Sequence, residues 1–455
     1  MKYLVEKAKT LPVINDVDIV VLGGGCTGTF AAIRAARLGA RVALIERSNC
    51  FGGVATNGFV CVWHVLTDIT YKKKIIGGLT QEVIDRLQKV PNGIWIKPLP
   101  DMDPVPFREP IYAVNHLNTE ELKIELDKLV TESGVIPYLH TFYSAPYTED
   151  GKLKGVIVET SSGRGIILGK YFIDATADGY LGEDMGMETY NHGSFQPATT
   201  GAKIWGWEKL DHPNERMRTP ENQARIGVRA GWDDMIPGVP SVFNWYKSQF
   251  VADCSNADSM TQGEISGRAQ VREMMNVLRE QDPKGKDLAL IGLSSVMGVR
   301  ETRQLKCSYQ LTTDDLCNGR TFEDAIAYCA YPIDIHTPQE PTHIRYLDGW
   351  EQIGSPEGIG MVQWKEPTDN PVTYWQIPYR SMLPENIENL LICGRAIDTE
   401  KGAFAAARVM ICLNQTGEAA GVASWVAMKS GKTVQEVDIA EVQRTMAAGG
   451  SIIPD

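Results

Sequence analysis

At 455 residues, 43% hydrophobic and 22% charged, the chain has the composition of an ordinary globular protein and the length of two domains. Its formal net charge of −12 argues against nucleic acid or an anionic membrane surface as partner. No apolar run approaches a membrane span, the opening MKYLVEKAKTLPVIND lacks a signal-peptide core, and the nine cysteines contain no CxxC, so a cytoplasmic protein with reduced, mostly buried thiols and no metal site is expected.

The first element is a short apolar strand from Ile19 to Leu22, followed by Gly23, Gly25 and Gly28 in G-x-G-x-x-G spacing. Gly23 serves a tight turn, Gly25 lets backbone approach a pyrophosphate, and Gly28 permits close helix–strand packing. The small-residue segment from Phe30 to Leu38 predicts a helix whose N-terminus offers free N–H groups to phosphates. A second strand, Arg41 to Ile45, ends at Glu46, placed to accept from ribose hydroxyls and to repel a 2′-phosphate. The fingerprint by itself does not separate NAD from FAD.

After Glu46 and Arg47 comes a Gly-rich loop through Gly52 and Gly53, then a helix starting near Gly78 and running through Leu87. Pro91 to Pro110 reads as irregular, and Asn118 caps a helix that Gly134 ends. Three strand signals, Phe142–Tyr147, Leu153–Glu159 and Gly165–Leu168, form a meander, and Tyr171–Asp174 returns to a buried strand before ATADGY. From about Asn191 the strand–helix alternation stops, leaving mixed strands and a helix around Gln262–Gln281. It resumes with the strand Asn389–Cys393, then Gly394-Arg395 and a long helix from Gly402 to Met428. The fold class is therefore α/β: a Rossmann-like dinucleotide domain, parallel sheet plus β-meander, over residues 1–190 and 381–455, interrupted by a large α+β substrate or cap domain over 191–380.

The segments DIVVLGGGCTGTFAAIRAARLGARVALIER, FGGVATNG, FIDATADGYL, MGVRETRQL, YPIDIH, IPYRSMLPENIENLLICGRAI and AARVMICLNQTGEAAGVA occur in an order that resembles the FAD-dependent oxidoreductases of the glutathione-reductase superfamily. The fumarate reductase and succinate dehydrogenase flavoproteins are better-known relatives. The resemblance implies FAD, held by Gly23, Gly25, Cys26, Thr27, Gly28, Glu46, Arg47, Gly52, Gly53, Ala55, Thr56, Ala175, Thr176, Asp178, Gly394, Arg395, Gly402 and Ala403. The loops at Gly52-Gly53 and Asp174–Gly179 independently favour FAD, because a ligand longer than ADP needs further surfaces of close backbone approach. The helix beginning near Gly402 would aim its positive end at the flavin edge where charge appears on reduction. One departure is Ala177, where the family commonly has glycine.

No second dinucleotide fingerprint is present, and Cys50 and Cys61 are too far apart for a thiol–disulfide pair, so they read as structural. Some relatives attach flavin covalently through histidine or cysteine, and Cys61 and His64 lie in a region compatible with that. The resemblance places His336, Arg300, Arg303 and Arg380 near the flavin–cap interface, His336 as proton acceptor and the arginines holding substrate. A buried salt-bridge network is the competing role for that cluster, while Arg395 and Arg408 read as structural or flavin-adjacent. The tryptophans Trp205, Trp207, Trp232, Trp245, Trp350, Trp364 and Trp375 could stack on sugars or fill the core. The expected function is hydride transfer between FAD and a small polar substrate, hydroxylated or carboxylated. An NAD-dependent dehydrogenase and a non-catalytic flavin-binding protein stand as alternatives. The electron acceptor and any homo-oligomer are left undecided.

Overall fold

The computed structural model describes residues 4–98, 113–227, 233–245, 248–336, 342–355, 358–366, 368 and 370–453. Ile19–Leu22 (β1) and Val42–Ile45 (β2) are buried along their whole length, as strands covered on both faces must be. Between them runs the helix Cys26–Arg37 (α1). Thr119–Glu132 (α2) follows, started by the Asn118 side chain accepting the Glu120 N–H, with Glu120 and Glu121 complementing the helix dipole. Ile136–Tyr138 (β3), Tyr171–Asp174 (β4) and Leu390–Ile392 (β5) complete a parallel sheet in the order β5-β4-β1-β2-β3. The chain builds outward from β1 through β2 and β3, then crosses to place β4 and β5 on the other flank. That reversal beside β1 is a topological switch point, where strand carboxyl ends open a crevice for ligands.

The meander is present as Phe142–Glu149, Lys152–Thr160 and Gly163–Leu168. A short strand, Val13–Asp16, pairs parallel to the last of these. Its mostly exposed side chains give no apolar alternation, which is why the sequence does not announce it. Pro91 to Pro110 is not irregular throughout: Ile94–Ile96 pairs with Ala113–Leu117, and residues 99–112 lie outside the described residues.

The long C-terminal helix expected from Gly402 is two helices, Lys401–Ala407 and Met410–Ser430 (α3). Val409 is extended, with ψ 146°, so hydrogen bonding stops and a fresh helix N-terminus begins at Met410. α3 lies against α1 at very short range. A Cβ on Gly417 would sit 2.0 Å from the Thr27 carbonyl oxygen, and one on Gly421 would sit 2.2 Å from that of Ala31. Only glycine permits this approach. The same interface buries an ion pair, with Arg34 Nε donating to Glu418 Oε2 at 2.7 Å while Glu418 Oε1 accepts the Leu79 N–H at 3.0 Å.

Between β4 and β5, the helix Ala257–Gln281, capped by Asn256, backs a sheet containing Ala202–Trp205 and Val239–Trp245. Ala325–Cys329 pairs with Trp375–Pro378, and Ile333–Ile335 starts an antiparallel sheet with Thr342–Arg345. One expectation about cysteine is corrected. The thiols are not all reduced, because Cys329 and Cys412 form a disulfide across 83 residues, their Cα atoms 5.8 Å apart. The packing of Ala325–Cys329 on α3 brings them together, a proximity that no local spacing encodes. Cys50 and Cys61 are buried and not joined.

Candidate functional site

A cavity of about 1110 Å³ opens at the carboxyl ends of the parallel strands, larger than a pocket for one drug-sized molecule. Gly23 after β1, Glu46 after β2, Ala175 after β4 and Gly394 two residues past β5 all line it. Gly23 turns at φ +94°, and a Cβ there would lie 2.4 Å from the Ala175 carbonyl oxygen, so the two strand ends touch through backbone. Gly25 is the opposite case: a Cβ would meet nothing within 4 Å, because open cavity lies over the start of α1. Cys26 and Thr27 line that opening, and the Gly52-Gly53 loop is drawn to it by a bridge from Gly25 to Gly52. Glu46 is fixed by backbone donors, Gly24 N–H to Oε2 at 2.6 Å and Ser48 N–H to Oε1 at 2.7 Å.

A second helix start faces the same space. Val409, Met410 and Ile411, at the N-terminus of α3, line the cavity. Arg395 donates through Nη2 to Asp178 Oδ1 at 2.9 Å, while its buried Nη1 has no hydrogen-bond partner. A cavity of this size with two helix N-termini, an open glycine and an unpaired guanidinium nitrogen fits a long dinucleotide with a pyrophosphate and an electron-rich ring. The residues present therefore suit FAD.

Gly23, Gly25, Cys26, Thr27, Glu46, Arg47, Gly52, Gly53, Ala175, Thr176, Asp178, Gly394 and Arg395 line this cavity. Gly28 lies behind it, where a Cβ would come 1.9 Å from the Gly23 carbonyl oxygen. Ala55 is buried and Thr56 Oγ1 donates to the Phe51 carbonyl at 2.7 Å, so Val54 takes their place on the wall. Gly402 and Ala403 are also off the wall: Gly402 packs on Thr313 and Ala403 is fully buried. The helix break at Val409 moves the N-terminus that faces the cavity from Gly402 to Met410. Ala177 lines the cavity at φ +69°, a left-handed backbone conformation that glycine adopts without the steric cost alanine bears.

Arg300 and His336 meet on the opposite wall. Arg303 does not join them; its Nε donates to the Asp178 carbonyl at 2.7 Å and its guanidinium pairs with Glu183. Arg380 is remote, half-exposed and paired with Asp324 at 2.9 Å. Glu301 is buried against His192 Nδ1 at 2.7 Å and accepts the Gln196 N–H. The described tryptophans between β4 and β5 do not line the cavity; Trp207, Trp245 and Trp375 are core, and Trp232 lies outside the described residues.

The structure adds Tyr331 and Asp334, which sequence reasoning passed over, and gives Arg408 a partner in the same cluster. Asp334 Oδ2 lies 3.0 Å from His336 Nε2 and accepts from Tyr331 Oη at 3.0 Å and Arg408 Nη2 at 3.1 Å. Tyr331, Asp334 and Arg408 all line the cavity, and the Tyr331 ring lies 4.6 Å from that of His64, also on the wall. The D-x-H spacing was the available signal, since residues two apart in a strand share a face. Burial lowers the His336 pKa below 6.5, aided by Arg300 and Arg408, against the pull of Asp334. His336 is therefore neutral near pH 7. Burial, with Arg408 nearby, brings Arg300 down to about 10, which still leaves it charged.

The family model described as FAD dependent oxidoreductase matches residues 18–446. A dihydrolipoyl dehydrogenase of Trypanosoma brucei brucei is 43% identical over 49 residues, 11% of this chain; the chain spans only 10% of the length of that curated relative. A geranylgeranyl bacteriochlorophyll reductase-like protein of Thermoplasma acidophilum is 13% identical, with 95% of this chain and 83% of that one covered at a TM-score of 0.43. A myxobacterial chondrochloren halogenase, described as an FAD-dependent halogenase, is 13% identical, with 95% and 78% covered at a TM-score of 0.40.

Proposed function

The chain belongs to the FAD dependent oxidoreductase family, and from that premise we propose that it passes a hydride between bound FAD, which supplies the two-electron carrier, and a small polar substrate held against Arg300, Asp334 and His336. Family membership makes it an FAD enzyme and displaces the readings as a nicotinamide dehydrogenase or a flavin binder without turnover. The residues from Gly23 to Thr27, Gly52-Gly53, Arg395 and the start of α3 would hold the cofactor.

The observation that carries the proposal is the Asp334–His336 pair on the cavity wall. A tautomer that donates Nε2–H to Asp334 leaves His336 Nδ1 as the proton acceptor, and neutral histidine is the form that can accept. Asp334, fixed by Tyr331 and Arg408, holds the ring in place. Arg300 offers a fixed positive group for an anionic or oxygen-rich substrate. The quoted motifs resemble FAD-dependent oxidoreductases whose better-known relatives include the fumarate reductase flavoproteins, which supports a polar substrate. The acidic charge supports small-molecule rather than nucleic-acid or membrane partners. Among the described residues no helix is long and apolar enough to cross a membrane.

An anaerobic screen of hydroxylated and carboxylated metabolites, followed by the flavin absorbance, tests the proposal. Bleaching by one of them within turnover time is expected. An enzyme whose flavin responds only to apolar or aromatic compounds would refute it.

A further inference from the structure

We infer that the substrate of this cavity is a 2-hydroxy carboxylate, which brings its hydroxyl to Asp334 and His336 and its carboxylate to Arg300; this rests on the proposed hydride-transfer role of the same site. Asp334 is 2% exposed, and all its hydrogen bonds converge on Oδ2. Its buried Oδ1 has no hydrogen-bond partner. A buried carboxylate oxygen left without a donor is costly, and only an O–H or N–H can meet it. A hydroxyl of the substrate is the donor we assign to it.

Arg300 makes the complementary demand. Its Nη1 donates to the Pro197 carbonyl and to Thr199 Oγ1 at 3.2 Å, and no described carboxylate pairs with it. Those neutral acceptors leave its charge unanswered. Arg300 and Arg408 share one nearby carboxylate, Asp334, and it is Arg408 that is hydrogen-bonded to it, so Arg300 keeps a positive charge with no carboxylate of its own in this cluster. A polyol would satisfy Asp334 and leave that charge standing. A plain carboxylate would answer Arg300 and leave Oδ1 without a donor. A 2-amino acid carries both groups but no net charge, and its ammonium would lie among two guanidinium groups. A 2-hydroxy carboxylate, with a donor and one net negative charge, meets every requirement.

The step balances. With FAD bound as the two-electron acceptor, the carbinol C–H bond would break with its electron pair leaving as hydride, and the O–H proton would go to His336 Nδ1. A C=O bond forms, so the 2-hydroxy acid loses two electrons to become a 2-oxo acid and the cofactor gains them.

The test mixes FAD-loaded enzyme anaerobically with lactate, glycerate and malate, with acetate and succinate, with glycerol, and with alanine, while the flavin band is recorded. At least one 2-hydroxy acid should bleach the band. Acetate and succinate should only shift it, with dissociation constants about tenfold or more above that of the reactive hydroxy acid. Arg300→Gln should retain FAD and raise the dissociation constant of the hydroxy acid by about tenfold or more. Bleaching by glycerol, alanine or succinate but by no 2-hydroxy acid would overturn the substrate class and leave hydride transfer standing. Absence of any spectral response from enzyme carrying full FAD would overturn both. The wild-type panel decides the matter even if Arg300→Gln folds poorly.

Discussion

The two walls of the cavity are made differently. The wall at the strand ends is mostly backbone: Gly23 turning against Ala175, Gly25 under open space, Gly52-Gly53 bridged to Gly25, and N–H groups at two helix starts. The wall facing it is made of side chains, Arg300, Tyr331, Asp334 and His336, supplied by the segment between β4 and β5, with Arg408 crossing from the C-terminal helices. Backbone recognition needs only that side chains be absent, and it suits a ligand of fixed chemistry. Side-chain recognition can be retuned one residue at a time, and it suits a substrate. Substitutions on the first wall should therefore act on flavin content or stability, and those on the second on kinetics at constant flavin.

The largest effect is expected at Gly25→Asp. The new Cβ meets nothing in the fold, so the protein should fold, but a carboxylate would occupy the pyrophosphate path. Flavin content should fall below about a tenth of the wild-type value, read from the visible-to-ultraviolet absorbance ratio. Full flavin content in a folded variant would end the distinction between the walls.

Next is Glu418→Leu, which leaves Arg34 buried without its carboxylate behind the backbone wall, held only by the Gly449 carbonyl and Ser451 Oγ. A loss of about 3–5 kcal/mol in urea unfolding is expected, with flavin released as a consequence. A loss near zero would mean that Arg34 finds another partner and that the α1–α3 contact does not depend on the pair.

On the side-chain wall, His336→Ala should keep FAD and slow substrate reduction of the flavin by about a hundredfold, the scale of losing a general base. Unchanged kinetics with a lower melting temperature would make His336 a structural member of an ion-pair network. The pH profile sharpens the same point. The His336 pKa is lowered below 6.5, so the rate in the wild type should be full above that pH and fall as pH drops through the folded value. Stability follows the same sign: a histidine whose folded pKa is depressed costs stability as pH falls below its unfolded value, where the unfolded chain binds the proton first. In His336→Ala the acid limb assigned to this group should vanish.

The smallest effect is at Ala177→Gly. A left-handed alanine costs about 1–2 kcal/mol, and the added freedom of glycine in the unfolded chain returns about half of that. Stability should rise by up to about 1 kcal/mol with FAD retained. A clear loss of flavin affinity would instead mean that the methyl group contacts the ligand.

The backbone wall was legible in the sequence because its parts are local. A buried apolar strand, a glycine where φ must be positive, a helix start and an acid at the next strand end all lie within the span Ile19–Glu46, and chain order alone returns β4 and β5 to the same sheet. The limits of that reading are equally physical. The break at Val409 is set by tertiary contacts, since Arg408 reaches Asp334 and Gly417 must meet Thr27, and no helix-stopping residue marks it. Arg303 and Arg380 have the residue type of substrate clamps, yet Asp178, Glu183 and Asp324 claim them. Cys329 and Cys412 look like unrelated thiols until strand and helix are packed together. What the sequence determined by itself was the dinucleotide scaffold, because glycine geometry and strand burial are properties of a few adjacent residues. Which arginines and which carboxylate face the cavity was decided only in three dimensions, because a long charged side chain settles on whichever distant partner folding brings within reach.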